Sequence, residues 1–241
     1  MATIILLAHN EAATIQHELR AFQRDVVSRI PGAQFVVAED GSRDGTPALI
    51  EQLRGELDLQ LRTSPERLGY ARALVEAVRA TSSDYVFVCD GGNKHDPSDF
   101  WALWARRNDA DLVVGRKTNR QDQLYRRMLT KAFNAVIRTY FGVKVHDIDS
   151  GMRLYSRRVV EEVFNGPLFF KGFASAEIVL RAIDRGFRYA EVPISYRQRI
   201  GESRGLPLRS IGRQVMTVLG NLRRLRRELR GGQRLRATIR S

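Results

Sequence analysis

The sequence predicts an α/β domain with a mostly parallel central sheet and helices on both faces. Two observations point there. Apolar runs too short for helices alternate with segments whose apolar residues recur every three or four positions. Three of those runs also end directly in acidic residues, at the sheet edge where open parallel sheets bind ligands. At 241 residues, 43% hydrophobic and 28% charged, the chain can bury a substantial core. That composition excludes a disordered chain and a coiled-coil rod.

Thr3–Ala8, Phe35–Ala38, Leu59–Thr63, Tyr85–Cys89 and Asp111–Val114 read as strands rich in Ile, Val and aromatic residues. Between them, segments near 12–30, 46–57, 69–80 and 97–107 read as helices, and Thr46-Pro47 and Asp96-Pro97 have the form of an N-cap followed by a first-turn proline. The second half predicts a helix at 123–141, a short strand within Ile148–Tyr155, helices at 157–164 and 174–185, and a strand pair through Tyr189–Tyr196. We divide the chain into a domain over 1–205 and a basic amphipathic helix and tail over 206–241.

The net charge of +13 is concentrated at the carboxyl end: residues 197–241 hold thirteen arginines against Glu202 and Glu228, leaving +2 for the rest. Ile211, Val215, Val218, Leu222, Leu225 and Leu229 form an apolar stripe on that helix. It can lie on an anionic membrane, pair with a copy of itself or pack on the domain. The single cysteine, Cys89, excludes an internal disulfide and a structural zinc site and suits a reducing compartment. The apolar run Ile4–Ala8 lacks a basic flank and is cut short by Asn10 and Glu11, so it reads as neither signal peptide nor membrane span. The expected location is cytoplasmic, peripheral at the inner membrane face.

Asn10-Glu11, Glu39-Asp40 and Asp90 follow the first, second and fourth strands. Together with the Ser42 and Thr46 hydroxyls they would form an acidic rim suited to a base and ribose and to a cation against a pyrophosphate. Asp44 and Asp96 read as caps, Asp40 and Asp90 as functional. Neither the dinucleotide glycine fingerprint nor a P-loop is present, which argues against a dehydrogenase or an NTPase.

The ordered set AHNEAATI (8–15), AEDGSRDGT (38–46), RLGYARAL (67–74), VCDGGNKHDP (88–97), DSGMRLY (149–155) and EVPISYRQRIGESR (191–204) resembles the family-2 glycosyltransferases of the GT-A fold. Its nearest likeness is to the dolichol-phosphate mannosyltransferase and polyprenyl-phosphate glycosyltransferase branch. The resemblance implies inverting transfer of a sugar from a GDP- or UDP-sugar to a polyprenyl phosphate, usually with Mg²⁺ or Mn²⁺. It implies that Ala8, Asn10 and Glu11 line the nucleotide pocket and that Asp40 contacts the base or ribose. Gly69 and Arg72 would begin a helix near the nucleotide. Ser42, Gly91 and Lys94 would complete the donor site, and Asp90 would be the first acid of the Asp-x-Asp metal signature.

The signature departs from the family at Gly92, where the second aspartate is missing, and at Lys94 two residues on. Two arrangements stay open. A divalent ion can be held by Asp90, substrate phosphates and waters, or Lys94, helped by His95, can neutralise the diphosphate as a fixed charge.

A phosphate acceptor is already anionic and needs no base, whereas a hydroxyl acceptor needs one; Glu177, Asp149 and Asp147 are the candidates. Arg153, Arg197, Arg199, Ser203 and Arg204 are expected to hold acceptor or donor phosphate. Three alternatives stand beside the lipid-acceptor reading: the same donor chemistry on a soluble hydroxyl acceptor, a nucleic-acid binder driven by the basic tail, and an inactive scaffold suggested by Gly92. The tail lacks the interleaved aromatics that stack bases, which counts against nucleic acid.

Overall fold

The computed structural model describes residues 1–118, 124–197 and 211–239. In chain order the elements are β1 (Ala2–Ala8), α1 (Ile15–Asp25), β2 (Gln34–Asp40), α2 (Thr46–Arg54), β3 (Leu59–Ser64), α3 (Tyr70–Arg79), β4 (Tyr85–Asp90) and α4 (Phe100–Ala105). Then come β5 (Leu112–Lys117), α5 (Leu124–Phe141), β6 (Met152–Ser156), α6 (Arg157–Val163), α7 (Ala174–Asp184), β7 (Tyr189–Ile194) and α8 (Ile211–Ile239). The seven strands form one sheet in the order β3-β2-β1-β4-β6-β5-β7. Only β6 runs antiparallel to its neighbours, so the sheet is mostly parallel, as predicted.

Side-chain alternation along the strands builds a core on each face. Ile5, Leu7, Val36 and Ala38 face α3, α5, α6 and α7, while Ile4, Leu6, Ala8, Phe35 and Val37 face α1, α2 and α4. Cys89 is fully buried, and burial pushes its thiol well above the ordinary range.

Three predicted elements differ. The helix expected over 12–30 ends at Asp25 and continues as a 3₁₀ turn, Val27–Arg29, because the β-branched pair Val26-Val27 fits poorly in a helix. Gly45, with φ 87°, takes the cap position of α2, and Thr46 becomes its first residue. The strand pair expected near the end is the single strand β7. It pairs with β5 alone, so Pro193 sits in an edge strand that does not need its missing N–H.

Of the three arrangements open to the carboxy-terminal helix, the described part of α8 packs on the domain. Leu222 and Leu225 are buried in the core on the α7 side. Arg181 of α7 pairs with Glu228 at 2.5 Å, and Asn221 donates to the Phe169 carbonyl at 3.2 Å. Arg224 lies over the Phe169 ring and Arg226 over that of Tyr140, each at 4.1 Å. The stripe leaves the body at its amino end, where Val215 and Met216 are exposed. The Leu225→Ala substitution is therefore expected to lower the unfolding free energy by about 2–4 kcal/mol. A urea titration checks this, and an unchanged midpoint would remove the helix from the core.

Candidate active site

The carboxyl ends of β1, β2 and β4 lie side by side, with Ala8 opposite Glu39 and Leu7 opposite Asp90. Asp40 and Asp90 thus reach the same sheet edge on the two strands flanking β1. The start of α3 links them. Asp40 accepts from the Leu68 amide at 2.6 Å and the Gly69 amide at 3.1 Å, and the next residue, Tyr70, donates its hydroxyl to Asp90 Oδ1 at 3.0 Å. Gly69 adopts φ 89°, which glycine accepts without steric cost. A side chain at Gly41 would come within 2.5 Å of the Arg67 amide, so the 66–67 backbone can cross the end of β2 only over a glycine.

The loops after β1 and β2 are laced together. Ser42 Oγ accepts from the Asn10 amide at 2.7 Å, Asn10 Oδ1 accepts from the Arg43 amide at 2.8 Å, and Thr46 Oγ1 accepts from the Glu11 amide at 2.8 Å. Asn10 has φ 49°, a conformation asparagine tolerates better than most residues. His9 Nδ1 lies 2.7 Å from the Asp40 carbonyl.

Asp90 is the hub. Besides Tyr70, its Oδ1 accepts from Arg153 Nη2 at 2.8 Å, and Arg153 is fully buried. Among the described residues, the remaining Arg153 nitrogens, Nε and Nη1, have no hydrogen-bond partner. Tyr70 OH is also 3.0 Å from Ser175 Oγ, which ties α7 to the cluster. Gly151 leaves no room for a side chain, since its Cβ would meet His95 Nε2 at 2.6 Å and Asp90 Oδ2 at 3.0 Å.

Two carboxyls at this edge are pushed up to about 7. For Asp149 the main cause is burial, opposed by Lys117 and Arg153 and reinforced by Asp90 and Asp147. Glu18 of α1, raised chiefly by burial, is partly held down by the Asn93 and Gly92 amides, and Glu11 nearby raises it further. Glu18 accepts from the Gly92 amide at 3.0 Å.

Several expected site residues lie elsewhere. Ala8 packs its methyl in the core on the α1 side. Arg72 is exposed on α3 and pairs with Glu76 at 2.7 Å. Glu177 is neither an exposed acid nor an available base: it is fully buried, one oxygen accepting from the Phe169 and Phe170 amides and the other from Arg181. Arg197 pairs with Asp96, and its amide donates to the Lys94 carbonyl at 2.8 Å. Arg199, Ser203 and Arg204 lie outside the described residues.

Sequence reasoning missed a basic cavity of about 890 Å³ at the carboxyl end of β5, lined by Arg116, Lys117, Arg127, Lys131, Arg138 and Asp147 among others. Its signal was present: residues 127, 131, 134 and 138 are spaced four, three and four apart, one face of α5. Asn134 and Arg138 fasten the loop beneath by bonding the Ile148 amide at 3.2 Å and the Val145 carbonyl at 3.3 Å. Lys117 joins cavity and hub, since it lies 3.8 Å from Asp147 and its charge acts on Asp149.

A mostly parallel sheet that gathers acids and glycine-shaped loops at one edge, with one antiparallel strand set into it, defines a GT-A glycosyltransferase. The glycosyl transferase family 2 profile matches residues 3–164, and the chain belongs to that family. It is 32% identical to the polyprenol monophosphomannose synthase of Mycolicibacterium smegmatis over 182 residues, covering 70% of this chain and 68% of that protein. It is 28% identical to the dolichyl-phosphate hexose transferase of Haloferax volcanii over 225 residues, covering 89% of this chain and 92% of the relative. Among solved structures it resembles glucosyl-3-phosphoglycerate synthase from Mycobacterium tuberculosis, in complex with Mn²⁺, UDP and phosphoglyceric acid. That match has a TM-score of 0.70 and 23% identity over 92% of this chain and 78% of the other. Among the described residues no helix is long and apolar enough to cross a membrane.

The side chains at the Asp90 edge offer a divalent ion few ligands of their own. Among the described residues no group of three or more His, Cys, Asp or Glu side chains is placed to hold a metal. Asp90 offers one carboxylate, already neutralised by a buried guanidinium, and position 92 offers none.

The raised Glu18 carboxyl has a consequence for stability. Between its ordinary 4.5 and about 7 the folded chain holds a proton that the unfolded chain releases, so this group's stabilisation is lost as pH rises through that window. Glu18→Gln should gain stability over the wild type between pH 5 and pH 8, by about 3 kcal/mol at most. Denaturant unfolding at the two pH values checks this, and a pH-independent difference would contradict it.

Proposed function

We propose that this glycosyltransferase moves a sugar from a GDP- or UDP-sugar to the phosphate of a polyprenyl phosphate. The observation that carries the reading is the basic cavity at the carboxyl end of β5, which Lys117 and Asp147 connect to Asp149. Five cationic side chains around one opening favour a phosphate over a neutral hydroxyl, and guanidinium groups can bind it in bidentate fashion. The names of the two relatives, which specify polyprenol and dolichyl-phosphate chemistry, support the same acceptor class.

The chain's own residues then divide the work. The laced loops at Asn10, Ser42 and Asp40 form the donor side, with Asp40 acting as an organiser of the Leu68-Gly69 backbone at the base of that pocket. Arg116, Arg127 and Lys131 hold the acceptor phosphate on the other side of the hub. A phosphate oxygen attacks the anomeric carbon from the face opposite the diphosphate and forms the new C–O bond. The bond from that carbon to the diphosphate oxygen breaks, its electron pair leaves with the nucleotide, and the configuration inverts. The acceptor is already anionic, so no base is required. For a hydroxyl acceptor, the candidate bases among the described residues are Asp147, which lines the cavity, and Asp149, whose carboxyl burial pushes up to about 7.

Reversing one charge in the cavity tests this. Lys131→Glu should raise the KM for a polyprenyl phosphate by about tenfold or more, as expected for losing a charge-assisted contact, with donor affinity unchanged. Steady-state assays that compare polyprenyl phosphate, phosphoglyceric acid and an unphosphorylated hydroxyl acceptor check it. Turnover confined to phosphoglyceric acid would move the acceptor to a soluble phosphate, and turnover confined to the hydroxyl acceptor would reject the cavity as the acceptor site.

A further inference from the structure

The loop that follows β4 is built in a form that disfavours a second metal-binding acid. Gly92 has φ +100°, a backbone conformation that side-chain-bearing residues rarely adopt. A Cβ there would come within 3.2–3.5 Å of the Glu11 carboxylate. An aspartate at this position would therefore be strained in its backbone and would set its carboxylate against another one. The loop is pinned on both sides: the Gly91 amide donates to the Leu7 carbonyl at 2.9 Å, Gly92 to Glu18, and the Lys94 carbonyl accepts from Arg197. Rearrangement to admit a metal ligand would break these contacts together.

Charge points the same way. A divalent cation beside a diphosphate draws on one or two protein carboxylates as well as the phosphates. Here the one signature carboxylate, Asp90, is already paired with Arg153, and Lys94 brings a positive charge on the same loop opposite Glu11 and Glu18. Lys94 is half-buried, and among the described residues its ammonium has no ion-pair partner. It lies close enough to Glu18 and His95 for its charge to act on both. A lysine ammonium offers three donors and one permanent positive charge, which suits the oxygens of a diphosphate.

We propose that this chain neutralises the departing nucleoside diphosphate with Lys94 in place of a divalent metal ion, so that donor binding is metal-independent. The inference rests on the nucleotide-sugar reading above and deepens it. In the transfer step the electron pair of the broken C–O bond comes to rest on the diphosphate, and the Lys94 ammonium stabilises that charge by donating hydrogen bonds without giving up a proton.

The test uses the full chain after treatment with EDTA, and calorimetry with GDP and with UDP before and after addition of excess Mg²⁺ or Mn²⁺. For whichever nucleotide binds, affinity should change less than about threefold between the arms. Lys94→Gln should weaken binding by about ten- to hundredfold in EDTA, the range for losing one charge-assisted contact, while Lys94→Arg keeps most of it. Thermal unfolding of each variant separates loss of the contact from loss of the fold, and the wild-type comparison needs no variant at all. A larger loss on chelation, or a folded Lys94→Gln protein that binds as the wild type does, overturns the inference and leaves the transferase reading standing. Failure of both nucleotides to bind in every arm overturns the transferase reading, and this inference with it.

Discussion

The ion pair between Asp90 and Arg153 organises the active-site edge. A guanidinium sealed inside a sheet is costly unless a carboxylate answers it, and removing one partner of such a pair typically costs several kcal/mol. Arg153 meets that requirement because β6 runs antiparallel beside β4, with Val88 opposite Arg153 and Cys89 opposite Met152. The pair fixes the Asp90 side chain. Tyr70 then fastens α3 to it, Ser175 brings in α7, and Asp40 holds the two residues before Tyr70. Four stretches of chain remote in sequence thereby share one electrostatic centre.

That centre separates two regions of different character. On the β1 and β2 side, backbone amides are satisfied by Ser42, Thr46, Asp44 and Glu39, which gives the loops a fixed shape with an acidic balance. On the β5 side, arginine and lysine side chains surround an open cavity. The first suits a nucleotide recognised by hydrogen bonds, the second an anion recognised by charge. Lys117 spans the boundary, close to Asp147 and felt by Asp149.

Much of this was legible from residue order. Strands β1 to β5 follow from apolar runs, and the convergence of Asp40 and Asp90 follows from their places at the ends of parallel strands. What escaped depended on partners distant in sequence. Nothing local in Met152–Ser156 declares that it runs antiparallel between β4 and β5. Glu177 looks like a helix-start acid until Arg181 and the Phe169-Phe170 amides are seen to enclose it. Arg72 has helical spacing to Glu76 and settles there, where a solvent-facing ion pair satisfies it. The cationic face of α5 was readable from its spacing, but its meaning required the loop at 143–148 to close beneath it.

Cys89 lies in β4 immediately before Asp90, enclosed by both flanking strands and lifted out of the reactive range by its surroundings. Its side chain packs under α1 and α4, so a sulfhydryl reagent can reach it only when those helices lift and open that face of the sheet. The molecule thus carries an internal gauge of its own breathing, a lone sulfur whose labelling clock runs at the pace of the sheet's opening.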